Sequence, residues 1–331
     1  MLRAPARETN SLAPGTFVPP KVTPKLLGRA PVFPEPTGLM RCFLPLLLAM
    51  LLLTGCARLD AIPASPPQTA TTWLTIQPHA AIQIGAQEII LVQPSTSFFV
   101  YLLGVLAVGA GITFFRIRNG QRSRVWWGIA LVLWGVGALL AGTSYEAFSY
   151  ALKCAGRPAC VWTSWWEVLY LILSVASVDA MMLAEAYACT AGRWRRALMI
   201  YAVANAAVYV AVVLAGALIP IKALISFELL ILFAAPTIMI FFILNGRRYA
   251  RLRDGMDLAL LGAWAWLVLT LCAYFLYLML GITPALWARG IWFSENDVLH
   301  IGLIIWMIYL VQVVAPRVRD AAWVPGEGNT G

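Results

Sequence analysis

Glu295, Asn296, Asp297 and His300 open the last long apolar stretch of the chain, "ENDVLHIGLIIWMIYL". On a helix, Asn296 and Asp297 stand four and three residues before His300, so the three side chains share one face. Carboxylates beside an imidazole serve metal ligation, acid–base chemistry or proton-responsive switching. As a metal site, Asp297 and His300 supply two ligands for one divalent ion, with Glu146, or Glu167, as the third. Asp179 and Ser144 are the candidate catalytic assistants. The other histidine, His79, sits in a polar context and is read as solvated.

The elements that must position these residues belong to a membrane protein. The 331 residues are 61% hydrophobic and 12% charged, with a mean hydropathy of +0.79. A soluble domain carries about twice that charged fraction. The net charge of +9 is mostly arginine, dispersed in short loops between apolar runs as topology signals. A nucleic-acid partner is therefore not expected; membrane lipids are. Seven stretches near the ~20 residues that cross a bilayer fall at about 98–115, 125–145, 164–189, 197–218, 223–244, 257–281 and 296–314. Backbone groups in lipid must bond internally, so the fold class is all-α, a seven-transmembrane-helix bundle.

Direction follows from the loops. Arg116, Arg118, Arg122, Arg124, Arg193, Arg195, Arg196, Arg247, Arg248, Arg251, Arg253, Arg317 and Arg319 fall in alternate loops or the tail. The intervening loops hold Lys153, Arg157, Lys222 and Arg289. The imbalance places the first set in the cytoplasm, with the N-terminus outside and the C-terminus inside. Tryptophans mark both boundaries: Trp162, Trp165, Trp166, Trp287 and Trp292 outside, Trp126, Trp127 and Trp194 inside. No internal repeat is evident, which counts against an inverted-repeat transporter.

With this topology, polar groups from four helices share the outer depth: Ser144, Glu146 and Ser149 at the end of span two, Glu167 in span three, Lys222 and Glu228 at span five, and the span-seven group. An outward-facing ligand pocket of Glu146, Glu167, Glu228, Asn296, Asp297 and His300 is the expectation, since ionisable residues within spans face the bundle interior or a wet cavity. Groups near the surface can instead snorkel into headgroups. In span three, Glu167, Ser174 and Glu185 line one stripe, and Asp179 meets a different helix. A retinal Schiff base would need a lysine deep in span seven, which has none. Bis-histidine haem would need two intramembrane histidines, and there is one.

The flanks read differently. Residues 1–39 hold eight prolines and no periodicity, a disordered segment; Met40 is a candidate start. Residues 40–56 form a secretory signal ending in Leu53-Thr54-Gly55-Cys56. That end resembles the lipobox of bacterial lipoproteins, which implies lipidation of Cys56 and an inner-membrane protein. Residues 57–97 read as an extracytoplasmic linker, in which "AAIQIGAQEIILV" is a strand or surface-lying segment. The transmembrane domain spans 98–316, and 317–331 is a cytoplasmic tail. Cys154 and Cys160, in the outer loop "KCAGRPAC", are expected to form a disulfide because the compartment is oxidising. Cys189 and Cys272 read as packing residues.

Span two ends in "TSYEAFSY", span three contains Asp179 and span seven starts "NDVLH". This arrangement resembles the seven-span membrane hydrolases that include alkaline ceramidases and the progestin/adipoQ receptors. In that superfamily histidines at the end of span two and the start of span seven bind zinc, which activates water against a lipid amide. His300 matches the second histidine of the span-seven pair, Asn296 stands where the first would be, and span two has none. The resemblance implies a metal-dependent lipid or amide hydrolase in which carboxylates replace the missing imidazoles, or a member whose site has lost metal and chemistry altogether. The residues themselves favour a non-enzymatic sensor, carrier or assembly factor that binds a small ligand or a proton. A third reading is that the polar groups only fix helix register.

Overall fold

The computed structural model describes residues 58–321; Cys56, the signal-like segment and the proline-rich stretch before it lie outside them. Among the described residues, seven helices are long and apolar enough to cross a membrane, as expected of a multi-pass membrane protein. Ahead of them come α1 (Ala70–Ile76) and the antiparallel strands β1 (His79–Ile84) and β2 (Gln87–Val92). Gly85 takes the left-handed conformation at the hairpin turn (φ +61°), which favours glycine. The spans are α2 (Pro94–Arg116), α3 (Arg122–Ala141, continued by a π-helical turn, Gly142–Ala147), α5 (Trp165–Cys189), α6 (Gly192–Leu218), α7 (Phe227–Leu252), α8 (Gly255–Met279) and α10 (Glu295–Tyr309, continued by a π-helical turn, Leu310–Val314). Two short helices, α4 (Ser149–Lys153) and α9 (Ile282–Trp287), lie in connections.

Several helices outrun their hydropathy. α6 starts at Gly192 rather than near 197, and α7 runs on to Leu252 rather than 244. Hydropathy registers the hydrocarbon slab, whereas a helix keeps its internal hydrogen bonds through the headgroup layer. Thus Arg193, Arg195, Arg196, Arg247, Arg248 and Arg251 extend helices rather than form loops.

Six spans close a ring in the order α2, α3, α5, α7, α8, α10 and back to α2, while α6 lies outside it against α5. α5 is the hub: 67% of its most apolar window is buried, against 17% for α6. Glycines let α2 and α3 approach closely. A Cβ on Gly135 would stand 2.7 Å from the carbonyl oxygen of Gly104, and one on Gly111 2.8 Å from that of Gly128. Small residues at such contacts are how membrane helices pack without a hydrophobic drive between them.

The bundle has a disulfide end and an arginine end. At the first, Cys154 and Cys160 are bonded, as expected of an outer loop. The segment expected to be a linker is folded onto this loop. Ala64 N–H donates to Cys160 O (3.0 Å), Cys160 N–H to Gln68 O (2.8 Å) and Trp162 N–H to Ile62 O (2.9 Å). Leu59, Ile62 and Trp73 are buried. Apolar side chains too sparse to show periodicity have found cover against the loop. At the arginine end, the first residues of the expected tail strap the bundle. Asp320 accepts from the N–H groups of Arg122 (2.9 Å) and Ser123 (2.8 Å), satisfying the free start of α3. Ala321 N–H donates to Tyr187 O (2.9 Å). Two expectations are corrected here. Trp127 is fully buried, stacked between Phe114 and Trp264 rather than set in an interfacial belt. Cys272 is exposed rather than packed.

Close approach at Gly135 is open to test. Gly135→Ala should destabilise by about 1–3 kcal/mol, the cost of overpacking, read as a lower melting temperature in detergent. Gly109→Ala has open space around its Cβ and should leave that temperature unchanged.

Candidate functional site

The ring of six helices lines a partly open cavity of about 150 Å³ in its disulfide half. Val100 and Leu103 of α2, Trp134 and Ala138 of α3, Leu230 and Ile238 of α7, Leu267 of α8 and Leu303 of α10 supply most of its apolar wall. Tyr170 and Ser174, one turn apart on α5, and His300 on α10 are its polar members. His300 is 7% exposed, and its Nδ1 has no hydrogen-bond partner. No Asp, Glu, Lys or Arg lines the cavity.

Toward the arginine end, the ring is filled by aromatic rings. Phe114, Trp127, Trp264 and Phe241 follow one another at centroid separations of 5.8, 5.6 and 4.3 Å. Trp306 packs against Trp264 (6.4 Å) and against the cavity residue Trp134 (5.2 Å), and its indole N–H donates to Ala263 O (2.9 Å). The cavity therefore rests on a packed aromatic floor.

Of the expected pocket residues, His300 lines this cavity and Glu146, Glu167, Glu228, Asn296 and Asp297 do not. Asp297 is fully buried, but it turns back on its own helix start. Its Oδ2 accepts from Ser294 N–H (2.6 Å), Ser294 Oγ (3.1 Å) and Thr96 Oγ1 (3.2 Å), closing a capping box and tying α10 to α2. Glu295 bonds Thr283 of α9. Asn296 is half-buried, and Glu228, in the first turn of α7, is exposed. The pocket is thus largely apolar, not the expected cluster of carboxylates, because most of those groups are spent on local bonds or face outward.

Glu167 belongs to a separate buried network. Its Oε1 accepts from Lys153 Nζ at 2.7 Å and from Ser144 Oγ at 2.8 Å, and Ser144 Oγ lies 2.6 Å from Ser164 Oγ. The π-helical turn at Gly142–Ala147 places Ser144 there and leaves Glu146 buried with Oε2 unpartnered. Lys153 is itself buried, its ammonium over the rings of Tyr145 (5.1 Å) and Trp73 (5.5 Å). Ser144, fully buried and held by these bonds, is not on the cavity wall. Asp179 accepts from Asn205 Nδ2 of α6 (3.1 Å to each oxygen) and is likewise off the wall.

The metal reading fails on geometry. Among the described residues, no group of three or more His, Cys, Asp or Glu side chains could hold a metal ion. The set Asp297, His300 and Glu146 does not assemble. Asp297 is committed to the α10 cap, and His300 faces an apolar wall. A catalytic zinc keeps three protein ligands, and this arrangement does not offer them.

A second polar cluster, at the arginine end, escaped the reading of the sequence. Glu185 Oε2 accepts from Cys189 Sγ (3.1 Å) and Asn245 Nδ2 (3.2 Å), and Arg248 Nε donates to Asp257 Oδ1 (2.9 Å). Arg248 Nη1 also donates to Cys189 O (3.0 Å). Cys189 is thus a bonding member of this cluster as well as a packed residue. Asp257, an ionisable residue near the start of a span, was the available signal. Arg248 is indistinguishable from its neighbours as a topology charge.

Residues 95–317 match a family of unknown function, DUF6962. The chain belongs to the DUF6962 family. The DUF6962 match takes in the seven spans together with the floor, the cavity and both polar clusters. The folded segment 58–93 lies outside it. No curated protein and no solved structure matches.

Two substitutions probe this layout. Lys153→Met should destabilise by roughly 3–5 kcal/mol by leaving Glu167 buried and uncompensated; adding Glu167→Leu should recover most of that loss in melting temperature. His300→Leu removes a buried unpartnered nitrogen and should raise the stability of the ligand-free protein by about 1–3 kcal/mol. A fall in its melting temperature would show that His300 has a structural partner.

Proposed function

We propose that this DUF6962 member is a non-enzymatic binding protein of the bacterial cytoplasmic membrane, a sensor or carrier whose ligand occupies the central cavity. The observation that carries the reading is His300, an unpartnered polar side chain on the wall of an otherwise apolar cavity built by six helices. Ligand sites are concave and mostly apolar, with a few convergent polar groups that orient the ligand. A neutral imidazole presents one donor and one acceptor, and Tyr170 and Ser174 add hydroxyls on the facing helix. The packed aromatic floor supports binding rather than passage through the bundle.

The proposed orientation sets the disulfide end, with the cavity, outside and the arginine end in the cytoplasm. The arginine distribution supports it, as does a disulfide, which belongs in an oxidising compartment. The lipobox-like Leu53-Thr54-Gly55-Cys56 supports a bacterial membrane anchor at the outer side.

The test is extraction of small molecules from purified protein, comparing wild type with Ala138→Phe, which fills the cavity from α3. At least one species should be enriched in the wild type and several-fold depleted in the variant. The variant must elute as a single monodisperse peak, since overpacking costs stability. Identical extracts from the two proteins would end the reading.

A further inference from the structure

Resting on that reading, we infer that the cavity takes a neutral, lipid-soluble molecule with one six-membered ring bearing a hydroxyl or carbonyl oxygen, the oxygen seated at His300. Size sets the ring. A cavity of about 150 Å³ is the size of the apolar void that accepts one benzene molecule. A phospholipid chain would need far more length, and a diatomic or a single water would leave most of the wall uncontacted. The apolar side chains of Leu103, Leu230, Ile238, Leu267 and Leu303 suit a hydrocarbon ring and offer no partner to polar edges.

Charge is set by what the wall lacks. With no Asp, Glu, Lys or Arg on it, an ionised carboxylate, phosphate or ammonium would lose its water and gain no counter-charge. Of the buried carboxylates in this half of the bundle, Glu167 is paired with Lys153 and Asp297 caps α10, while Glu146 is unpartnered but does not reach the wall.

The oxygen is set by the polar members. His300 lines the cavity with Nδ1 buried and unpartnered, and Tyr170 and Ser174, whose hydroxyls lie within bonding reach of each other, line it too. Tyr170 and Ser174 stand at i and i+4, so they share a face of α5. An unsubstituted ring would leave the His300 imidazole unpaired, and a site with a buried polar group rejects the analogue that lacks the matching oxygen. A ring oxygen, whether hydroxyl or carbonyl, satisfies it.

Titration calorimetry of the full chain in lipid nanodiscs, with Ala138→Phe nanodiscs as the blank for partition into lipid, tests this with four probes. Phenol should bind at least about tenfold more tightly than benzene, the worth of one hydrogen bond. Benzoate should not bind. Anisole separates the two oxygen chemistries: binding equal to phenol supports an acceptor oxygen, and binding at the benzene level supports a hydroxyl. In His300→Leu, phenol should fall to the affinity of benzene, and Tyr170→Phe provides a second variant with the same direction. Benzene binding as tightly as phenol, or benzoate binding at all, would overturn this ligand class and leave the cavity as a site. Failure of every probe to exceed the Ala138→Phe blank would overturn the cavity reading itself.

Discussion

Glu167, Asp179 and Glu185 all lie on α5, and all are buried in a helix surrounded by hydrocarbon and other helices. No water is at hand to solvate them, so each must be answered by protein. Their answers come from different neighbours. Glu167 takes Ser144, on the π-helical turn that continues α3, and Lys153 of α4. Asp179 takes Asn205 of α6, and Glu185 takes Asn245 of α7. One helix thereby fixes the height and rotation of three others. The individual bonds are weak, averaging about 0.6 kcal/mol across membrane helices. Their effect is on choice of packing: sliding any neighbour by a turn would leave a carboxylate unpaired in the interior, a cost of several kcal/mol.

With register set in this way, the two halves of the ring are filled differently. Near the arginine end, tryptophan and phenylalanine from α2, α3, α7, α8 and α10 stack into a continuous floor. Near the disulfide end, the facing positions are smaller or aliphatic: Val100, Ala138, Ala141 and Ala234. Glycine contacts hold α2 and α3 together along their length, so these small side chains cannot be compensated by helices moving inward. A void is the result of side-chain size on a backbone whose spacing is already determined.

The architecture was legible because it rests on composition and on loop charge, both of which survive without knowledge of contacts. The seven spans, the Cys154–Cys160 bridge and the turn of Asp179 toward a different helix all follow from local sequence. The site was legible in one residue. His300 was visible as an intramembrane imidazole, but its companions were chosen for charge and depth, and charge was the misleading cue. Depth says nothing about whether a carboxylate faces the ring or bends back on its own helix start, as Asp297 does. Lys153 sits beside a cysteine in an apparent loop, and its burial beneath Trp73 and Tyr145 depends on a segment nearly eighty residues away in the chain. Tyr170 looks like an ordinary interfacial aromatic until α10 is placed opposite it.

Asp297 and His300, three residues apart on α10, show why one polar group is consumed and the other is not. Position three of a helix lies within reach of the free N–H groups of the first turn, so Asp297 finds donors at no expense to the fold. Position six lies beyond them, where every N–H is already bonded along the helix. A polar side chain there must find its partner across the bundle, and around His300 the bundle offers aliphatic carbon and two hydroxyls bordering a void. A leucine at 300 would suit that wall better than an imidazole does. Other buried polar groups also lack partners, Glu146 among them, but His300 is the one of these on the cavity wall, and a residue that opposes its surroundings there marks where packing has yielded to something the cavity holds.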